Sequence, residues 1–138
     1  IGDGAFTFLK SLEKIEIPEG VEEIGAFAFD GCDSLTEITV PGSVKRIGMY
    51  AFAGCKKLRK VTLCEGVLEI GAGAFSNDLN LKEIFLPKSL KRLLAKEYRY
   101  QTVEALDFCS ILTAYCPKGS YAEEYCKAKG IKLEITQE

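Results

Sequence analysis

The chain repeats itself every 23 residues without a gap, and few features constrain a fold more tightly. Ile1, Ile24, Ile47 and Ile70 open four successive copies, each followed by glycine at Gly2, Gly25, Gly48 and Gly71. Every copy then carries Ala-Phe (Ala5-Phe6, Ala28-Phe29, Ala51-Phe52, Ala74-Phe75) and a leucine (Leu12, Leu35, Leu58, Leu81). Two apolar residues spaced two apart follow, Ile15/Ile17, Ile38/Val40, Val61/Leu63 and Ile84/Leu86. A fixed period of this length predicts a stacked solenoid, one supersecondary unit per copy.

Within one copy, Leu12-Glu13-Lys14-Ile15-Glu16-Ile17 alternates as a half-buried strand does, and Pro18-Glu19-Gly20 turns the chain after it. Val21 and Ile24 suggest a second short extended segment, with Gly25 bending the chain beyond it. The Ala-Phe stretch that ends at Cys32 predicts one or two helical or 3₁₀ turns, too short to stand as a free helix. One copy buries too little apolar surface to offset the entropy of ordering its backbone, so neighbours must supply the rest by pairing strands and joining their apolar columns. The expectation is an α/β solenoid: a right-handed superhelix with a parallel sheet and short helical or 3₁₀ turns.

We read one domain over 1–138, with repeats 1–23, 24–46, 47–69 and 70–92. A degenerate fifth repeat with an insertion follows at 93–117, because Ala105-Leu106, Cys109 and Leu112 reproduce the spacing of Ala28-Phe29, Cys32 and Leu35. Residues 93–104 are expected to form a helical excursion. A cap is expected at 118–138: Ser120 and Glu123 form a capping box for a helix that runs to Lys129 before Gly130, and Ile131 to Ile135 alternates as an edge strand. No equivalent cap precedes Ile1, and since Ile1 falls inside the repeat, the chain is expected to be a piece of a longer polypeptide. The uncovered residues Ile1, Phe6, Phe8 and Leu9 predict fraying or self-association through the N-terminal end.

Charge excludes several function classes. The 18 basic and 20 acidic residues nearly cancel and are spread through every repeat, so no basic field awaits nucleic acid. No apolar run approaches the length of a spanning helix, so membrane insertion is not expected. The chain has no histidine, which removes the ordinary base for a serine or cysteine nucleophile. Glu22-Glu23 and Glu123-Glu124 read as solvated pairs, and Gly2-Asp3-Gly4 and Gly71-Ala72-Gly73 lack the third glycine of a phosphate loop. We expect no enzyme and no cofactor. The six cysteines contain no C-x-x-C and have no histidine beside them, so no metal site is expected. Cys32 and Cys55 share a core-facing column as small hydrophobes. Cys64 sits at a turn, and a bridge among Cys109, Cys116 and Cys126 stays open as an alternative.

Two exposed columns alternate in sign at every step: Lys14, Glu37, Lys60, Glu83 and Glu23, Arg46, Glu69, Arg92. Opposite charges on neighbouring strands contribute roughly 0.2 to 1 kcal/mol per pair, enough to favour the correct register. The outward face of the main sheet is the surface left free for a ligand, and its expected binding residues are Thr39, Arg59, Lys60, Thr62, Glu83 and Phe85. Phe85 breaks a polar column of Glu16, Thr39 and Thr62, either as a contact residue or because it packs under Tyr98 or Tyr100 of the insertion.

The unit L-x-x-I-x-I-P-x-x-V-x-x-I-G-x-x-A-F-x-x-C, present from Leu12 to Cys32 and again from Leu35 to Cys55, resembles the BspA-type leucine-rich repeats, also called the Treponema pallidum type. The segment from Pro117 to Tyr125 is similar to the closing segment of that family. The resemblance implies a secreted or cell-surface bacterial protein without catalytic machinery, engaged in adhesion or protein binding, with a protein or glycan on a host or neighbouring cell as its partner. The other reading is a spacer that has no ligand and presents another domain away from the cell wall. Departures from the pattern are Cys64 in place of the turn proline, Asp78 in the cysteine column, and Phe8 and Leu9 before the first strand.

Overall fold

The computed structural model describes residues 1–136. Its strands are β1 (Glu23–Ile24), β2 (Glu37–Val40), β3 (Arg46–Ile47), β4 (Lys60–Leu63), β5 (Glu69–Ile70), β6 (Glu83–Phe85), β7 (Arg92–Leu93), β8 (Ala95–Glu97), β9 (Thr102–Glu104), β10 (Thr113–Pro117) and β11 (Lys132–Thr136), with helix α1 (Tyr121–Lys129) before the last strand. The short rungs form one parallel sheet in the order β1-β3-β5-β7, and the longer strands form a second in the order β11-β10-β6-β4-β2. Successive coils pair at the repeat spacing, Ile38 with Val61 and Val61 with Ile84, so each apolar column runs the length of the stack. The chain is a parallel β-solenoid with a C-terminal helix.

The third side of each coil is built of turns, where the sequence predicted short helical or 3₁₀ turns. In the second coil the Ala28 and Cys32 N–H groups bond back to Gly25 and Phe29 within the coil, while Phe27, Phe29 and Gly31 donate to Met49, Ala51 and Ala53 of the next coil. With every other N–H sent outward, an α-helical ladder cannot form, and Phe27 at φ +58° and Gly31 at φ +70° reverse the chain between turns. The repeat glycines serve close approach as much as bending: a Cβ on Gly48 would sit 2.5 Å from the Ala26 nitrogen of the preceding coil.

Inside, Phe6, Phe29, Phe52 and Phe75 stack in one column with centroids 5.1, 5.0 and 5.4 Å apart, and the last three rings are fully buried. The cysteine column lies beside it. Cys32, Cys55 and Cys109 donate their thiols to the carbonyls of Phe6, Phe29 and Phe75 at 3.2, 3.3 and 3.1 Å. All six cysteines are free, so the bridge among Cys109, Cys116 and Cys126 is not formed. Burial pushes the Cys55, Cys109 and Cys126 thiols well above the usual value, as befits packing groups.

Three sequence expectations are corrected. Residues 93–104 form no helix: β8 and β9 make an antiparallel hairpin closed by the Tyr98 N–H bonding to the Gln101 carbonyl at 2.7 Å. Alternation decides it, since Val103 is buried between exposed Thr102 and half-buried Glu104, a period of two that no helix can use. Residues 12–17 form no strand, although Ile17 is in the core. The column of Lys14, Glu37, Lys60 and Glu83 is in ladder register only from Glu37 onward. The other charge column behaves as expected, with Arg46 3.7 Å from Glu23 and Arg92 2.7 Å from Glu69.

The cap closes the far end. Ser120 accepts from the Glu123 N–H at 3.2 Å, and Gly130 at φ +69° ends the helix. Glu104 holds the helix to the fifth coil, accepting from Tyr125 and Lys129 at 2.6 Å each. Partial burial alone would raise the Glu104 pKa, but these two hydrogen bonds outweigh it and hold the carboxyl below the usual range. The last two residues of the cap expected at 118–138 lie outside the described residues.

Asp78 occupies the cysteine column and is fully buried. Its Oδ1 accepts from the Cys55 N–H at 2.8 Å, while its Oδ2 is buried with no hydrogen-bond partner. Burial pushes this carboxyl up to about 9, against the smaller opposing effect of the Cys55 N–H. Asp78 is therefore a neutral acid at neutral pH. A folded-state pKa raised above the unfolded value means stability is greatest in acid and falls as pH rises from the ordinary carboxylate range towards 9. Asp78→Cys restores the column, and we expect a higher melting temperature at pH 8 together with a flatter pH dependence of unfolding between pH 5 and 9. Equal slopes for the two proteins would contradict the assignment.

Candidate binding face

The six expected binding residues lie on or beside the main sheet. Thr39, Thr62 and Phe85 occupy one ladder column on β2, β4 and β6, and Lys60 and Glu83 occupy the adjacent one. Arg59 precedes β4 and reaches the same surface, with its guanidinium 3.9 Å from the Glu37 carboxylate. Strand alternation explains the arrangement: Ile38, Val61 and Ile84 are buried, so their neighbours must face outward. Thr39 and Arg59 are exposed, while Lys60, Thr62, Glu83 and Phe85 are half-buried.

Phe85 does not pack under the insertion. Its ring stacks on Tyr115 of β10, with centroids 4.6 Å apart and planes at 13°. Lys60 places its ammonium 5.6 Å from the Phe85 centroid, a cation within reach of that ring's face. The Tyr115 pKa is raised, first by desolvation and then by the charges of Glu134 and Glu83. The result is a two-ring platform with one cation beside it and two carboxylates on its rim. No group of histidine, cysteine and carboxylate side chains among the described residues could hold a metal ion.

Tyr115 is the partner of Phe85 that sequence reasoning missed. Its signal was present, because the fifth repeat continues the column one residue early, after the insertion has displaced the register.

The hairpin builds a separate aromatic group on the turn side. Phe27 stacks on Tyr50 at 5.3 Å, and the Tyr50 and Tyr98 hydroxyls lie 3.0 Å apart. That hydrogen bond, followed by desolvation, pushes Tyr50 up to about 12. At the hairpin tip Lys96 and Arg99 lie 5.3 Å from the centroids of Tyr98 and Tyr100.

Parallel coils that alternate a longer strand, a turn and a short rung around one apolar core define a leucine-rich-repeat solenoid. A family model described as a BspA type leucine rich repeat region matches residues 1–129 in six copies. The chain belongs to this family. Among solved structures it is similar to a leucine-rich repeat protein from Bacteroides ovatus, with 32% identity and a TM-score of 0.66 over 82% of this chain and 27% of that one. It is also similar in fold to the pneumococcal vaccine antigen PcpA, at 20% identity and a TM-score of 0.74 over 98% of this chain and 33% of that one. A leucine rich cell surface protein from Faecalibacterium prausnitzii is similar at 24% identity and a TM-score of 0.51, over 91% of this chain and 36% of that one. The chain thus spans about a third or less of the length of these relatives. No curated protein sequence matches it.

The geometry separates two kinds of phenylalanine. Phe85→Ala removes an offset stack at a half-buried site and should cost about 1 kcal/mol of stability. Phe52→Ala removes a fully buried ring from the central column and should cost about 3 to 5 kcal/mol. Chemical denaturation of the two variants measures the difference, and comparable losses would place Phe85 in the core.

Proposed function

We propose that this chain is a non-catalytic recognition module of a secreted or cell-surface bacterial protein, and that it binds a partner protein through the outward face of the five-stranded sheet. The observation that carries the reading is the Phe85–Tyr115 platform beside Lys60, a half-buried aromatic pair in columns otherwise made of threonines and charges. Aromatic and arginine side chains dominate binding energy at protein interfaces, and Arg59 stands one position before Lys60. Family membership supports a repeat module, and two similar structures are described as a cell surface protein and a vaccine antigen, which favours placement outside the cell. Among the described residues no helix is long and apolar enough to cross a membrane. A glycan partner would use the same rings as a stacking surface.

The alternative is a spacer, favoured by the ion-paired column of Glu23, Arg46, Glu69 and Arg92, which needs no ligand to explain it. Immobilised chain screened against extracellular-matrix proteins, epithelial surface proteins and a glycan array separates the readings. The expected result is saturable binding of a protein that Phe85→Ala weakens by about 2 kcal/mol or more, with Arg59→Ala next in effect and the melting temperature lowered by no more than the few degrees that a loss of about 1 kcal/mol implies. Binding that ignores both substitutions would remove this face from the reading, and the absence of any ligand would favour the spacer.

A further inference from the structure

The main sheet ends at β11, whose outer side has no neighbouring strand among the described residues. Leu133 and Ile135 continue the buried columns of Ala114 and Cys116, while Lys132 and Glu134 lie beside Thr113 and Tyr115 on the outward face. With no further strand to cover it, Ile135 is 45% exposed. Lys132 and Glu134 are exposed too, and neither has an ion-pair partner among the described residues.

The bonds on the other side of β10 fix which peptide groups of β11 face outward. The Thr113 N–H donates to the Lys82 carbonyl, and the Tyr115 carbonyl accepts from the Leu86 N–H, so Thr113 and Tyr115 turn their peptide groups to β6. Alternation turns those of Ala114 and Cys116 to β11, where the parallel register offers them Lys132, Glu134 and Thr136. Leu133 and Ile135 are left with N–H and C=O pointing away from the sheet, as is the Ile131 carbonyl. The Ile131 N–H is already taken, donating to the Cys126 carbonyl at 2.9 Å. An edge of this kind is a template for another strand.

Side chains select which strand. Two copies related by a two-fold axis normal to the sheet keep their apolar faces on one side and run their edge strands antiparallel. Centred on Leu133, the two Leu133 residues exchange a pair of hydrogen bonds, and each Ile135 N–H meets the Ile131 carbonyl of the other copy, so the occupied Ile131 N–H is not needed. Lys132 then stands opposite Glu134, and Ile131 opposite Ile135. The neighbouring registers with the same hydrogen-bond phase set Lys132 against Lys132 or Glu134 against Glu134, and like charges repel. Charge and backbone choose the same register. We infer that β11 is a homodimerisation edge, which joins two copies of this chain antiparallel about Leu133 into one continuous ten-stranded sheet. The dimer sets both Phe85–Tyr115 platforms on one face, with the two β11 strands between them. This association needs no ligand, and it stands whether or not the outward face binds one.

Sedimentation of the whole chain tests it, followed from about 10 μM to about 1 mM because so short an edge belongs with transient interfaces. The expected result is a reversible monomer–dimer equilibrium that salt weakens, with amide exchange at Leu133 and Ile135 slowed about tenfold or more in the concentrated sample. Lys132→Glu and Glu134→Lys each place like charges opposite one another twice, and each should weaken dimerisation at least about tenfold with the melting temperature of the dilute protein retained. Mixed together, these two variants should associate again, since each supplies the charge that the other lacks. The inference falls if the chain stays monomeric throughout that range, if charge reversal leaves the equilibrium unchanged, or if the mixed variants fail to associate. Leu133 and Ile135 amides already protected in the dilute sample would show an edge closed within the chain and overturn it. Protection gained at residues 1–9 in place of β11 would assign association to the N-terminal end and overturn it as well. Ligand binding enters none of these readouts, so failure here is distinguishable from failure of the binding face.

Discussion

Each coil of this protein is held mainly by hydrogen bonds that leave it. In the turn segments alternate N–H groups donate to the following coil, as Tyr50, Phe52 and Gly54 do to Ala72, Ala74 and Ser76, and the two parallel sheets do the same on the other sides. A single coil could satisfy only part of its backbone and would leave its phenylalanine face open. Stability is therefore a property of neighbours, approximately a sum of interfaces, and each interface demands the same backbone separation. That demand explains Gly25, Gly48 and Gly71, where any side chain would strike the backbone of the preceding coil, and the flat phenylalanine stack at a nearly constant spacing.

Departures from the repeat become informative against so uniform a frame. Asp78 replaces a thiol that would have donated to a phenylalanine carbonyl, and the stack retains it by keeping the carboxyl protonated. The insertion cannot be absorbed within a coil, so it leaves as a hairpin and the ladder resumes beyond it, with Thr113 beside Glu83 and the Phe75 N–H bonding to the Ala105 carbonyl. Phe85 and Tyr115 replace polar column residues on adjacent strands, and each gives the other a stacking partner. The first departure is tolerated by chemistry, the second by topology and the third by pairing.

The two ends are treated differently. At the C-terminal end, β11 pairs along all five residues of β10 and α1 covers the core, tied by Glu104 to Tyr125 and Lys129. At the other end the turns of the first coil are firmly bonded to the second, Phe6 to Ala28 and Phe8 to Asp30, while residues 12–17 pack Leu12, Ile15 and Ile17 against the core without forming a strand. The same local sequence logic produced a strand in three coils and none in this one.

Much of this architecture was legible in the residues because a repeat converts one-dimensional spacing directly into three-dimensional columns. The parallel pairing of Ile38, Val61 and Ile84, the opposite charges of Arg46 and Glu69, and the Ser120 cap all follow from counting by 23 and from side-chain chemistry. Counting fails where the period does: the hairpin at 95–104 interrupts it, and with it the partner of Phe85, which is Tyr115 rather than a tyrosine of the insertion. Turn geometry was equally hidden, since short apolar stretches such as residues 25–32 suit a helical turn until the next coil claims every other N–H. Spacing by itself determined the solenoid, its register and its core. Only tertiary contact decided which outward residues meet, how the insertion leaves the stack, and that residues 12–17 form no strand, because each depends on neighbours that no repeat unit encodes.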